Sequence, residues 1–326
     1  MTDTGLTGLI LNVQRLSTED GPGIRSTVFL KQCPLACRWC HNLESISGTP
    51  ELQWFSARCM GCRSCAASCP RGCLSFDASG GVRIDRSRCQ GCGRCAEDCP
   101  SNALQVVGRR VGVDELVGEL LKDRAYYERS GGGVTLSGGE PLAQPAFTAA
   151  VLRALKAHGV STAVDTCGFA SESSLASIVD DVDLILYDLK LMDPSAHRAF
   201  TSRENDVILS NLRRITSMHA TGGPRLWIRT PLIPGMTATG RNLRAIGAFI
   251  AEHLDGAVER WELCAFNNLC RDQYARLGIP WQLAQTPLMS RNELALLGDE
   301  ARASGIDPRL VTVTGAARAE QEGSTT

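Results

Sequence analysis

The chain has 326 residues, 43% of them hydrophobic and 21% charged, with a net charge of −1. That length predicts two domains around an ordinary buried core, and the charge balance excludes recognition of nucleic acid or an anionic membrane by bulk electrostatics. The chain carries 15 cysteines, no charged-then-apolar leader and no apolar run near the ~20 residues of a membrane span. It is too long for a secreted disulfide scaffold, so the reading is a reducing cytoplasm and metal-bound, oxygen-sensitive thiolates.

In chain order, residues 26–31 read as a strand that delivers a loop bearing Cys33, Cys37 and Cys40, at x3 then x2 spacing. A [4Fe–4S] cluster has four irons and usually takes four thiolates. Three thiolates on one tight loop leave one iron open, and an open metal position marks a reactive site. The other possibility is a structural metal loop that borrows a ligand from elsewhere.

Residues 49–107 have little hydrophobic periodicity and read as an insert folded around metal. Cys59, Cys62, Cys65 and Cys69, then Pro70, repeat as Cys89, Cys92, Cys95 and Cys99, then Pro100. Each run is C-x2-C-x2-C-x3-C-P, the two-cluster ferredoxin pattern, in which the fourth cysteine crosses to the other cube. This assigns Cys59, Cys62, Cys65 and Cys99 to one cluster, and Cys89, Cys92, Cys95 and Cys69 to the second. Paired C-x2-C knuckles also read as zinc sites; the doubled run with its prolines favours iron–sulfur.

Beyond the insert, Val113, Leu116, Val117, Leu120 and Leu121 follow the spacing of an amphipathic helix. Strands are expected at 133–137, 161–165, 182–187, 225–230 and 257–264. Helices are expected around Phe147 to Leu155, from about 172, and at 205–218 and 242–254. Alternation of this kind builds parallel βα units. With the first strand, six strands predict an α/β fold with a partial, TIM-like (β/α)6 barrel, interrupted by the ferredoxin-like insert. The expected division is 1–48 for the start of the barrel, 49–107 for the insert, 108–314 for the rest of the barrel and 315–326 for a disordered tail.

Chemistry in such a fold gathers at the strand C-termini. There lie Ser137-Gly138-Gly139-Glu140-Pro141, whose glycines let a ligand touch backbone and whose Glu140 and carbonyls can accept bonds from an ammonium. Asp165-Thr166-Cys167-Gly168 ends the next strand. Asp188-Leu189-Lys190 ends the one after, with Asp188 and Lys190 on one face. Taken alone those two would read as an ordinary strand-end ion pair; beside the other motifs they read as a binding pair.

As a set, these motifs resemble the glycyl radical enzyme activating enzymes of the radical S-adenosylmethionine (SAM) superfamily, in the subgroup with a ferredoxin-like insert. The resemblance runs from Asp20-Gly21-Pro22-Gly23-Ile24-Arg25 to about residue 280. It is carried also by the cysteine loop ending in Trp39-Cys40-His41-Asn42, by Ser130-Gly131-Gly132-Gly133-Val134-Thr135, by Tyr187-Asp188-Leu189-Lys190 and by Arg229-Thr230-Pro231. It implies a SAM-dependent oxidoreductase with three [4Fe–4S] clusters, the one on Cys33, Cys37 and Cys40 binding SAM through its open iron. One electron from a flavodoxin- or ferredoxin-type donor cleaves SAM, and a 5′-deoxyadenosyl radical takes a hydrogen from a glycine of a partner glycyl radical enzyme. It also implies cofactor contacts at Trp39, Cys40, His41, Gly138, Gly139, Glu140, Asp165, Asp188, Leu189 and Lys190.

One stretch departs from the family pattern. Where members usually have a histidine near the SAM ribose, the chain reads Phe266-Asn267-Asn268, so Asn267 takes that place. Cys73, Cys167, Cys264 and Cys270 are left over, and free cysteines are commonly small core residues; the pair Cys264 and Cys270 flanks the departure. A radical SAM enzyme acting on a small molecule or another peptide is the alternative. A pure electron carrier would leave the three-cysteine loop and the α/β body without purpose.

Overall fold

A computed structural model describes residues 5–219, 222–254 and 256–318. The body is a nine-stranded sheet. Its strands are β1 (Thr7–Ser17), β2 (Arg25–Leu30), β7 (Arg109–Gly112), β8 (Gly133–Gly138), β9 (Ser161–Thr166), β10 (Leu184–Asp188), β11 (Arg225–Leu232), β12 (Val258–Ala265) and β13 (Val311–Thr314). Four short strands of the insert, β3 (Glu51–Trp54), β4 (Leu74–Phe76), β5 (Val82–Ile84) and β6 (Leu104–Val107), lie between β2 and β7. The large sheet runs β13-β12-β11-β10-β9-β8-β2-β1-β7. From β2 through β8 to β13 every pairing is parallel, while β1 joins β2 and β7 antiparallel.

The six expected strands are all present, neighbouring in chain order. β10 shows why: Leu184, Ile185, Leu186 and Tyr187 are all buried, as a parallel strand covered on both faces requires. Helices cross over between strands and lay apolar stripes on the sheet. Helix Pro145–Ala157 contributes Phe147, Val151, Leu152 and Leu155; helix Asp206–His219 contributes Ile208, Leu212 and Ile215. Thr239 caps helix Gly240–His253 by accepting from the Asn242 N–H at 3.2 Å. Three strands of the large sheet lie outside the expected set: β1, β7 and β13. β7 is four residues with two arginines, and it is a strand because β1 offers it an edge.

The insert has more regular structure than its sequence pattern suggests. β3 pairs with β6 and β4 with β5, both antiparallel, around a separate apolar group of Leu52, Leu74, Val82 and Leu104 with Cys65 and Cys95. A buried polar seam joins it to the barrel. Lys31, at the end of β2, is fully buried and its Nζ donates to the Glu44 carbonyl at 2.5 Å and to Glu51 Oε2 at 3.0 Å. Gln53 Nε2 donates to Glu44 Oε1 at 2.8 Å, and Arg86 Nη2 to the Leu277 carbonyl at 2.7 Å.

The expected tail, 315–326, is described only at its start. Residues 315–318 are held in place: the Arg318 N–H donates to the Met289 carbonyl at 2.8 Å, and Arg318 bridges Ser290. Residues 319–326 lie outside the described residues. Among the described residues no helix is long and apolar enough to cross a membrane.

Candidate active site

All seven parallel strands end at one cavity of about 500 Å³. After β2 come Cys33, Cys37, Trp39, Cys40 and His41; at the end of β8 are Ser137, Gly138 and Gly139; at β9, Asp165, Thr166 and Cys167. Asp188 and Lys190 follow from β10, Arg229, Pro231 and Ile233 from β11, Cys264 to Asn267 from β12, and Thr314 and Gly315 from β13. Residues at or shortly past the end of each strand reach the same bowl because parallel strands put all their C-termini on one rim.

The cysteine loop is tied down on three sides. Cys33 N–H donates to the Ile46 carbonyl, Ala36 and Arg38 N–H to the Thr201 and Phe200 carbonyls, and Cys40 N–H to the Cys37 carbonyl, all near 3 Å. Aromatic side chains clamp its far end: Tyr274 OH donates to the Cys40 carbonyl at 3.0 Å, and Trp281 Nε1 to the Arg38 carbonyl at 2.9 Å. Gln32 starts the loop with φ +81°, a region non-glycine residues rarely adopt. Its N–H donates to the Ser45 carbonyl at 2.7 Å and its carbonyl accepts from the Glu140 N–H at 2.8 Å, which holds the strained turn. The glycine turn is thereby bonded to the cysteine loop. A side chain on Gly139 would run into the Gln32 and Ser45 carbonyls, so only glycine permits this approach.

The charged groups form two sets. Lys190 Nζ donates to Asp188 Oδ2 at 2.5 Å; burial alone would lower the lysine, and the charge and hydrogen bond of Asp188, together with Cys37 and Cys167, outweigh it and hold the lysine protonated. Arg229 lies 3.6 Å from Asp165 and 3.0 Å from Glu262, and Ser137 Oγ donates to Asp165 at 2.6 Å. Burial still lifts the Asp165 carboxyl to about 6. Arg229 lies outside the expected contacts; its signal is its place at a strand end, where the register sets it beside Asp188 and Glu262. His41 Nε2 lies 3.0 Å from the Asn267 carbonyl, which can only accept, so Nε2 carries the proton, and burial keeps the ring neutral.

Two expected contacts are redirected. Glu140 is fully buried and turned away from the cavity: its carboxylate accepts from Thr166 Oγ1 at 2.7 Å and from the N–H groups of Cys167 and Leu142 at 2.8 and 2.9 Å. It ties the glycine turn to the end of β9. Leu189 is buried in the apolar core, because strand alternation sends it opposite Asp188 and Lys190. Among the leftover cysteines, Cys270 is buried in an apolar group with Trp39 and Phe266, whereas Cys264 and Cys167 line the cavity.

The donor chemistry suits iron–sulfur groups. The Cys167 thiol bonds to Cys33 and favours its thiolate, while burial pushes Cys37 up to about 12; a bound cation deprotonates thiols outright. In the insert, Cys59, Cys62, Cys65 and Cys99 line one small cavity, and Cys69, Cys89, Cys92 and Cys95 another. Among the described residues, no three His, Cys, Asp or Glu side chains converge on a single-ion position. Thiolates around a cube each face a different iron and stand further apart.

Residues 86–241 match the Radical SAM superfamily, and residues 58–103 match a 4Fe-4S dicluster domain. The chain is 45% identical over 236 residues to the trans-4-hydroxy-L-proline dehydratase activating enzyme of Clostridioides difficile, covering 72% of this chain and 76% of that one. It is 36% identical over 321 residues to the benzylsuccinate synthase activating enzyme of Thauera aromatica, covering 96% of each. The chain belongs to the glycyl radical enzyme activating enzymes. A radical SAM methyltransferase from Sphaerobacter thermophilus shares the fold, with a TM-score of 0.50 at 14% identity over 94% of this chain and 76% of that one. An activating enzyme of this family uses SAM and iron–sulfur chemistry to generate a glycyl radical on a partner enzyme. The cavity at the strand ends, with its three cysteines, is the candidate site for that chemistry.

Proposed function

We propose that this activating enzyme holds three [4Fe–4S] clusters: one on Cys33, Cys37 and Cys40 that binds SAM, one on Cys59, Cys62, Cys65 and Cys99, and one on Cys89, Cys92, Cys95 and Cys69. The observation that carries the reading is the strand-end cavity, which gathers three thiols of one loop with Gly138, Gly139, Asp165, Asp188 and Lys190. When bound, the reduced cluster and SAM supply one-electron chemistry that ends in hydrogen abstraction from the partner's glycine.

The chain's own residues do the positioning. Gly138 and Gly139 leave backbone exposed to the amino-acid end of SAM. Asp188 and Asp165 suit ribose hydroxyls, and Lys190 suits a carboxylate or a neighbouring acid. Asn267, held on the rim by the His41 bond to its carbonyl, takes the place beside the ribose. Trp39 and Phe266 supply apolar walls that exclude water, so that the reacting carbon meets the glycine and little else. The relatives' partners include trans-4-hydroxy-L-proline dehydratase and benzylsuccinate synthase; we take a glycine loop of a glycyl radical enzyme as the substrate class here too. The electron comes from a cytoplasmic flavodoxin- or ferredoxin-type donor.

Anaerobically reconstituted protein should hold about twelve irons. Replacing Cys33, Cys37 and Cys40 together by alanine should remove about four irons and all cleavage of SAM to 5′-deoxyadenosine, sparing the other two clusters. Retained cleavage in that variant would overturn the site.

A further inference from the structure

The first ferredoxin-type run carries a fifth thiol. Cys73 follows Cys69 by four residues; in the second run, aligned on Cys99, the same position is Ala103. The backbone is alike in the two halves: the Cys73 N–H donates to Cys69 Sγ at 3.5 Å and the Ala103 N–H to Cys99 Sγ at 3.3 Å. The side chains differ. Cys73 Sγ lies 3.3 Å from Cys69 Sγ, is buried with 5% exposure, and lines the same cavity as Cys89, Cys92 and Cys95. The cavity of Cys59, Cys62, Cys65 and Cys99 has Ala103 in that place.

A small core residue needs no sulfur, as Ala103 demonstrates in the matching half. A thiol in contact with Cys69 and facing the same space stands at the same corner of the cavity, so a side-chain movement suffices to exchange one sulfur for the other. We propose that Cys73 is a reserve ligand of the second insert cluster, able to replace Cys69 on its iron. The inference rests on the reading of the insert as a two-cluster domain. The exchange is a substitution: the iron–sulfur bond to Cys69 breaks, one to Cys73 forms, the Cys73 proton passes to the departing sulfur, and no electron moves. Because the first cluster lacks such a thiol, the two clusters should differ in tolerance to losing their crossing cysteine.

The test counts iron and acid-labile sulfide, with electron paramagnetic resonance of the reduced protein, in the full reconstituted chain and four variants. The unaltered chain should hold about twelve irons, and Cys99→Ala should lose about four. Cys69→Ala should keep the unaltered count, and Cys69→Ala with Cys73→Ala should fall as Cys99→Ala does. If Cys69→Ala alone loses as much as the double variant, the reserve role is wrong while the cluster reading stands. An unaltered chain far below twelve irons would take both down. Should Cys69→Ala fail to fold, Cys73→Ala decides. It should load fully but release the second cluster to excess EDTA several-fold faster than the unaltered chain, with the first cluster's rate unchanged. An unchanged rate for the second cluster would overturn the proposal.

Discussion

Lys190 is buried at the cavity wall with Asp188 as its hydrogen-bond partner, so removing Asp188 leaves the buried ammonium without that partner, and removing Lys190 takes a charged bond from Asp188. A lost charged hydrogen bond typically costs about 1.5–3 kcal/mol. Asp188→Ala or Lys190→Ala should therefore weaken SAM binding roughly ten- to a hundredfold with all clusters retained, measured by equilibrium binding to reconstituted protein. Asn267→Ala should cost about tenfold or less, since a neutral bond is worth about 0.5–1.5 kcal/mol. Asn267→His should leave affinity unchanged or improved, because His41 bonds the backbone carbonyl and that bond survives the substitution. If neither Asn267 variant alters SAM binding, the loop faces something else. Asp165 gives a pH signature. Its carboxyl is raised from 3.8 to about 6 by burial, so the folded chain keeps a proton that the unfolded chain has already released. The stability from this group is present below the unfolded value and lost as pH rises through the folded one. Between pH 5 and 7 the loss is about 1 kcal/mol. The stability of Asp165→Asn relative to the unaltered chain should improve by that amount over the same window, followed by thermal unfolding without SAM. A difference that stays constant with pH would show that Asp165 does not titrate there.

At the scale of elements, the site depends on two turns packed against each other. Glu140 N–H bonds the Gln32 carbonyl and Gly139 N–H bonds the Leu30 carbonyl, both at 2.8 Å, so the turn after β8 and the cysteine loop move together. A methyl group on Gly139 meets backbone carbonyls that cannot rotate away. Gly139→Ala should destabilise the chain by about 1–3 kcal/mol and lower SAM cleavage. Gly118 is the control: it lies within helix Val113–Leu120 with nothing near enough to meet an added methyl group. Gly118→Ala should stabilise by about 0.5–1 kcal/mol through helix propensity. Equal behaviour of the two variants in thermal unfolding would contradict the close packing of Gly139 on the Gln32 and Ser45 carbonyls.

At the scale of the molecule, the insert hangs from the barrel by a polar seam at Lys31, Glu44, Glu51 and Gln53, with Arg86 on the Leu277 carbonyl. Cys62 and Cys92 are its exposed thiols, which places an edge of each proposed cluster toward solvent and a protein donor. If the insert relays electrons, Cys62→Ala or Cys92→Ala should slow SAM cleavage with a flavodoxin-type donor far more than with a small chemical reductant. Equal losses with both, tracking a fall in soluble yield, would assign the insert a structural task instead, since metal binding and folding are coupled in small metal domains.

The grouping of the thiols was legible in the sequence because the cysteines sit on short segments, where spacing alone sets reach; Cys99 lines the cavity of Cys59, Cys62 and Cys65, and Cys69 that of Cys89, Cys92 and Cys95. The six central strands were legible because burial on both faces leaves unbroken apolar runs such as Leu184 to Tyr187. β1, β7 and β13 were not, since short or edge strands owe their form to a neighbour rather than to their own pattern. Nor could the sequence decide between adjacent residues of one motif. Gly139 faces the cavity and Glu140 binds Thr166 and Cys167, because the turn after β8 is set by its bonds to Leu30 and Gln32, over one hundred residues away in the chain. The convergence of Arg229, Cys264 and Gly315 on the same bowl likewise depends on sheet order and register, which link residues through space and leave no trace in local spacing.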